Sequence, residues 1–407
     1  MRSTAYHFII LPCVLVALTF KGFAATTDTA KVKNANETAQ LGMDTVSAKQ
    51  AATDKRFFMN ALLRTAFHGD SFFNEGGQNS IGLDEARIDI GGNYNDRLSY
   101  RVRYRLNRAF AETGQDNGSQ ALDWAYLHYK FGNQNKWSVT AGKQSALVGS
   151  YEFQNNPIYE LLFTDYVDRI LNLFVVGGTL SHQVDKNHSL NVQIYNTTNE
   201  GFDRLFQTRG YNQEDLNAAS NPLGTYFTWI GAFADQKIHT KWSYNISQFA
   251  KGHTNHNISL ANKLALNKTL VYLDLQYSYL PVDYTMVVNP VLNTHYGRSG
   301  TDQVLARGIQ YKTAVLRLDQ MLTDHWEISL KGAYETASSR KDEAIGKDFR
   351  KNYTYTAALQ YKPYESQDLR FYLAYIGNTI DYSQVINASK AELNRVSLGL
   401  FYTIPVF

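Results

Sequence analysis

The sequence predicts an all-β fold, a transmembrane antiparallel β-barrel of about 16 strands with its third loop folded inward. Three observations predict it. Segments of roughly ten residues alternate apolar and polar side chains, the breaks between them alternate short and long, and the chain opens on an export-type leader. Composition agrees: Tyr 28, Phe 22 and Gly 27 against Pro 7 suit pleated surfaces that proline would interrupt.

Arg2 precedes an apolar run from Phe8 to Phe20, with small residues at Gly22 and Ala24 before a polar stretch. Residues 1–24 therefore read as a signal peptide cleaved after Ala24, the run of about 13 being short of the roughly 20 residues a membrane-spanning helix needs. Residues 25–56, rich in Ala, Thr, Lys, Asn and Asp, are expected to form a mobile or weakly helical periplasmic segment, and residues 57–407 the outer-membrane barrel. The sole cysteine, Cys13, lies in the leader, so the mature chain has no thiol chemistry. A net charge of +3 without a Lys/Arg block argues against nucleic acid as a partner.

Leu98 to Asn107 is the clearest strand: Leu98, Tyr100, Val102, Tyr104 and Leu106 share one face, and Ser99, Arg101, Arg103, Arg105 and Asn107 the other. Val271, Leu273, Leu275 and Tyr277 likewise oppose Tyr272, Asp274, Gln276 and Ser278. Trp326, Ile328, Leu330 and Tyr334 oppose Glu327, Ser329, Lys331 and Glu335, and Tyr353 to Tyr361 repeats the pattern. Short breaks near 93–97, 132–136, 185–188, 235–237, 267–268, 323–325 and 363–368 interleave with long ones near 70–82, 111–121, 145–172, 196–224, 251–256, 280–303, 336–351 and 377–392. Seven turns and eight loops give 16 strands, although Tyr226 to Ser259 is poorly patterned. Tyr94, Phe131, Trp137, Trp242, Trp326, Tyr361 and Tyr364 gather beside the short breaks, as an interfacial girdle would. The last strand alternates from Val396 to Val406 and ends on Phe407, one residue out of phase, which predicts a bulge near Pro405.

Three arginines on one face decide which side meets water. Turning Arg101, Arg103 and Arg105 toward lipid would cost on the order of 6 to 12 kcal/mol, so they face inward. Same-face neighbours roughly 7 Å apart repel by about 0.6 kcal/mol in water and about 12 in a dry interior, so the bore is hydrated or rich in carboxylates. Glu85, Arg87 and Asp89 share the parity opposite Ala86, Ile88 and Ile90. A turn centred on Asn95 sets Asp89 against Arg101, Arg87 against Arg103 and Glu85 against Arg105, leaving Arg87 and Arg103 an uncompensated pair; Arg64 adds a further cation. Such a cluster either lowers the barrier for anions or is a solvated ladder that rigidifies the wall.

The long break Ser145 to Asn172 is too apolar for an exposed loop: Tyr151, Phe153, Ile158, Tyr159, Leu161, Leu162 and Phe163 accompany Glu160, Asp165, Asp168 and Arg169. It is expected to fold into the barrel mouth and narrow it, the alternatives being packing on neighbouring loops or a subunit interface. Tyr151, Glu160, Asp165, Asp168 and Arg169 are its candidate constriction residues.

LDWAYLHYKF (Leu122 to Phe131), WSVTAGKQSALVGSYEF (Trp137 to Phe153) and DEARIDIGGNYNDRLSYRVRYR (Asp84 to Arg105) resemble the phosphate-selective porin O and P family of Gram-negative outer membranes. The resemblance covers the first half of the barrel and the overall layout. It implies a 16-stranded homotrimeric channel with the third loop in the pore and conduction of phosphate-like anions, and it places Arg87, Arg101, Arg103, Gly142 and Lys143 in matching stretches. Where members carry a second basic or aromatic residue after the glycine, this chain has Gln144 and Ser145, and Lys143 falls on the outward parity.

No catalytic constellation, Gly-rich phosphate loop or cofactor motif is found, and His253 and His256 on a polar loop lack the partners a metal site needs. The expected partners are outer-membrane lipid and small hydrophilic or anionic solutes. The rivals are a barrel enzyme of lipase type, for which His128 and His182 lie on strands, and a purely structural or adhesive barrel.

Overall fold

In the computed structural model the alternating segments become sixteen strands: β1 (Phe58–Phe72), β2 (Gly76–Asn93), β3 (Leu98–Arg105), β4 (Leu122–Phe131), β5 (Trp137–Ser145), β6 (Phe174–Gln183), β7 (His188–Asn196), β8 (Leu223–Phe233), β9 (Ile238–Gln248), β10 (Thr254–Ala265), β11 (Thr269–Val282), β12 (Arg307–Met321), β13 (Trp326–Ser339), β14 (Arg350–Tyr361), β15 (Asp368–Tyr382) and β16 (Ala391–Pro405). Each pairs antiparallel with its sequence neighbours. β1 closes on β16, from Asn60 opposite Pro405 to Phe72 opposite Leu393, so no edge is left to satisfy in hydrocarbon. The structure describes residues 56–72, 76–108, 119, 121–155, 159–197, 202, 206, 210–365 and 367–406. The leader, residues 25–55, Ile158 and Phe407 lie outside the described residues.

The sequence alternation is the sidedness of the wall. On β11, Leu273 and Leu275 are exposed on the outside while Tyr272, Asp274, Gln276 and Ser278 are buried within. Trp137, Trp242, Trp326, Tyr361 and Tyr364 stand exposed beside the short turns, Trp326 against Tyr361 across the β13–β14 pair at 5.0 Å. The poorly patterned segment is β8, β9 and the start of β10; aromatic residues on both faces, buried Tyr226 beside exposed Phe227, blurred its period.

The structure corrects three expectations. The first long break is a hairpin tip, with β1 reaching Phe72 and β2 resuming at Gly76. β16 pairs with β1 in unbroken register through Pro405, so no bulge lies there. The β2–β3 register is Arg87 opposite Arg105 and Asp89 opposite Arg103. The Asn95 carboxamide accepts the N–H groups of Arg97 and Leu98 at 2.9 and 2.8 Å, which moves the turn centre one residue on, to Asp96.

Candidate functional site

Two β-bulges lie where the expected bulge does not. Between β1 and β2, Arg64 faces Glu85 while Thr65 faces Leu83, leaving Asp84 out of the ladder. Between β3 and β4, Arg103 faces Trp124 while Tyr104 faces Leu122, leaving Asp123 out. By strict alternation both aspartates belong to the lipid face, and the extra residue of a bulge re-aims the side chain. Asp84 thereby meets His68 Nε2 at 3.0 Å and Arg64 Nε at 3.4 Å. Asp123, wholly buried, becomes the hub of the arginine cluster.

Three guanidiniums converge on that one carboxylate. Arg87 Nη1 donates to Asp123 Oδ2 at 2.5 Å, Arg103 Nε to the same oxygen at 2.9 Å, and Arg105 Nε to Oδ1 at 2.5 Å. Glu85 binds Arg87 Nε at 2.9 Å rather than Arg105, and Arg101 reaches Asp89 diagonally through two hydrogen bonds of 2.9 and 2.6 Å. The expected uncompensated Arg87–Arg103 pair is thus corrected: both share Asp123. Trp124 lies between Arg101 and Arg103, with their guanidinium carbons 4.1 and 3.4 Å from its ring centroid, and its indole N–H donates to Ser145 Oγ at 2.9 Å.

The third long loop, residues 146–173, folds inward across the lumen. Its two helical turns, Tyr151–Gln154 and Tyr166–Ile170, start on carboxylates of the opposite wall. Asp274 accepts the Ser150 hydroxyl at 2.8 Å and the Glu152 N–H at 2.9 Å; Glu335 accepts the N–H groups of Asp165 and Tyr166 at 2.9 and 3.0 Å. Lys331 Nζ binds Glu152 and Glu160, each at 2.6 Å, and Arg317 binds Glu160 at 2.8 Å. Burial pushes the Glu160 carboxyl up, but Lys331 and Arg317 outweigh it and hold the group below its ordinary range. Arg350 holds Asp165 at 2.7 Å, and Tyr159 donates to Asp368 while packing on Phe401. Val167 and Ile170 join Val288, Leu292, Ile345 and Phe349 of later loops in one apolar cluster.

Between this loop and the arginine wall remains a cavity of about 370 Å³. Of the wall residues read from the sequence, Arg64, Arg87, Arg103, Arg105 and Glu85 line it; Arg101 and Asp89, paired with each other, do not. Of the loop residues, Glu160 and Asp168 line it. Tyr151 is instead buried beside Tyr272, Asp165 is held by Arg350, and Arg169 points to solvent near Asp165 and Asp168. Sequence reasoning missed Asp123, Asp84, Trp124, Arg108, Lys241 and Arg395. A carboxylate on the lipid parity of an otherwise regular strand was the available signal for both bulges. Lys143 pairs opposite Ala125 on the outward parity, yet its side chain is buried and its ammonium donates to the Ser119 carbonyl at 3.0 Å.

The model of the family described as phosphate-selective porin O and P matches residues 66–404. The chain belongs to that family. No curated protein sequence matches this porin. Among solved structures it is similar to the outer membrane channel DcaP of Acinetobacter baumannii (TM-score 0.59, 11% identity, 86% of this chain and 97% of that one). It is also similar to an anion-selective porin from Comamonas acidovorans (TM-score 0.56, 8% identity, 86% and 99%) and to Salmonella typhi OmpF (TM-score 0.53, 12% identity, 86% and 97%). At such identities the likeness is one of fold.

This porin is an outer-membrane channel, and the two histidines of the lipase reading stand on opposite faces of its wall. His128 faces the lumen, 4% exposed and bonded to Thr140 Oγ1 at 2.9 Å, whereas His182 packs at a tilt on Trp137 on the outer face. His256 Nδ1 meets the Tyr244 hydroxyl at 2.8 Å.

Proposed function

We propose that this porin is a passive channel that favours anions and performs no catalytic step. The charge of the cavity between loop and wall carries the reading. Seven cationic side chains line it, Arg64, Arg87, Arg103, Arg105, Arg108, Lys241 and Arg395, against four carboxylates, Asp84, Glu85, Glu160 and Asp168. Glu160 is already matched from behind by Lys331 and Arg317. Counting Asp123 and Asp70 behind the wall still leaves the balance positive. A positive constriction in a hydrated bore lowers the barrier for anions and raises it for cations.

The constriction is formed by the arginine cluster facing the inward loop, with Asp123 and Trp124 holding the guanidiniums in place. Anions as cargo are supported by the family's description and by the anion selectivity named for the Comamonas acidovorans porin of like fold. A homotrimer is supported by the trimer form described for OmpT of Vibrio cholerae, again of like fold. The mature protein begins after a signal peptide of residues 1–24, and residues 25–56 form a periplasmic segment ahead of the barrel.

Reversal potential across a potassium chloride gradient in a planar bilayer tests the reading. The native channel is expected to favour chloride, and Arg103→Glu, which reverses a charge lining the cavity, to shift the potential toward cations. A native channel that favours potassium overturns it.

A further inference from the structure

We infer that the cavity prefers organic anions carrying an apolar body over bare inorganic anions, an inference that rests on the anion-favouring reading above. The two sides of the cavity differ in kind. The wall supplies the guanidiniums of Arg87, Arg103 and Arg105, while the loop supplies Phe153, Leu162 and Phe163. Part of this apolar surface serves the fold, since Phe153 and Phe163 pack against the large cluster under the outer loops. Leu162 joins none of the apolar clusters among the described residues, is only partly buried and lines the cavity.

A small inorganic anion gains nothing from such a surface. An organic carboxylate gains twice: its oxygens take the planar guanidinium fork, and its hydrocarbon body covers the loop side chains. Asp123 and Trp124 preorganise the arginines, so little ordering is lost on binding. A cavity of about 370 Å³ has room for a small organic anion, since one of about 150 Å³ already takes up benzene.

The test uses the purified full-length protein in a planar bilayer, with acetate, hexanoate, benzoate and inorganic phosphate added at equal concentration and interruptions of the chloride current recorded. Each methylene withdrawn from water strengthens binding about fourfold, so hexanoate, four methylenes longer than acetate and half covered, is expected to bind about 15-fold more tightly than acetate. Benzoate is expected to match hexanoate, and phosphate to fall with acetate. Leu162→Ser is expected to pull the hexanoate-to-acetate ratio toward one; if that variant does not insert, the native series decides alone. Phosphate interrupting as strongly as hexanoate, or no dependence on chain length, overturns the inference. A native channel that prefers potassium sinks the anion reading beneath it, whereas chloride preference with a flat series sinks only the organic-anion preference.

Discussion

Strands β1–β4 and strands β11–β14 both present charges to the lumen, but by different means and to different ends. On β11–β14 the charges Asp274, Arg317, Lys331, Glu335 and Arg350 sit at regular inward positions, and the inward loop engages every one of them. On β1–β4 two of the carboxylates, Asp84 and Asp123, reach the lumen through bulges, and the cationic cluster they hold lines the cavity. Regular alternation thus built a surface to be covered, and a broken ladder concentrated charge around the cavity. The loop is the hinge of this comparison, because Arg64 donates to the Glu160 carbonyl at 2.7 Å and so ties it to the arginine wall as well.

The largest expected effects come from removing the buried hub on either side. Lys331→Met removes the cation of Glu152 and leaves Glu160 to Arg317, and Asp123→Asn removes the charge shared by three guanidiniums, of which Arg87 keeps Glu85; breaking a buried ion pair costs about 3 to 5 kcal/mol, read from urea unfolding of the barrel in detergent. Lys331→Met should also add noise to the open-channel current as the loop loosens, and Asp123→Asn should not. If both variants disturb the current alike, the division of labour between the two sides is wrong. Asp84→Asn, at a side chain itself 21% exposed, is expected to cost about 1 kcal/mol; a loss as large as at Asp123 would mean the bulges are equivalent.

Acid titration probes the same clamp more gently. Because the Glu160 carboxyl is held below the ordinary glutamate value of about 4.3, its contribution is fully present above that value and is lost as pH falls through the lowered one. The extra current noise of Glu160→Gln over the native channel should therefore stay constant from pH 8 down to about 4 and shrink only below it. A difference that already shrinks near pH 6 would overturn the lowered value of Glu160. At the weak end, Lys268→Ala removes a pair to Asp324 whose side chains are 61% and 75% exposed, and unfolding should change by less than about 0.5 kcal/mol.

The strands, their number and their inward and outward faces were legible in the sequence because each depends on a local period and on the cost of placing arginine in hydrocarbon. Arg101, Arg103 and Arg105 could be turned inward from Leu98 to Asn107 alone. Arg101 does meet the Asp89 assigned to it, on the diagonal, but the partners of Arg103 and Arg105 could not be assigned, because the Asn95 turn moved the register and Asp123 arrived from β4. The apolar run Tyr159 to Phe163 announced a loop that needed something to pack on, yet nothing in it named Asp274, Glu335 or Lys331, which lie more than a hundred residues away.

By itself, then, the sequence determined an outer-membrane barrel, its sidedness and a cationic stripe along its third strand, since side-chain alternation against water and lipid acts residue by residue. Tertiary structure alone decided which charges pair, where the two ladders break and which wall the loop clamps. Those choices belong to groups far apart in the chain, whose meeting depends on strand register and barrel closure.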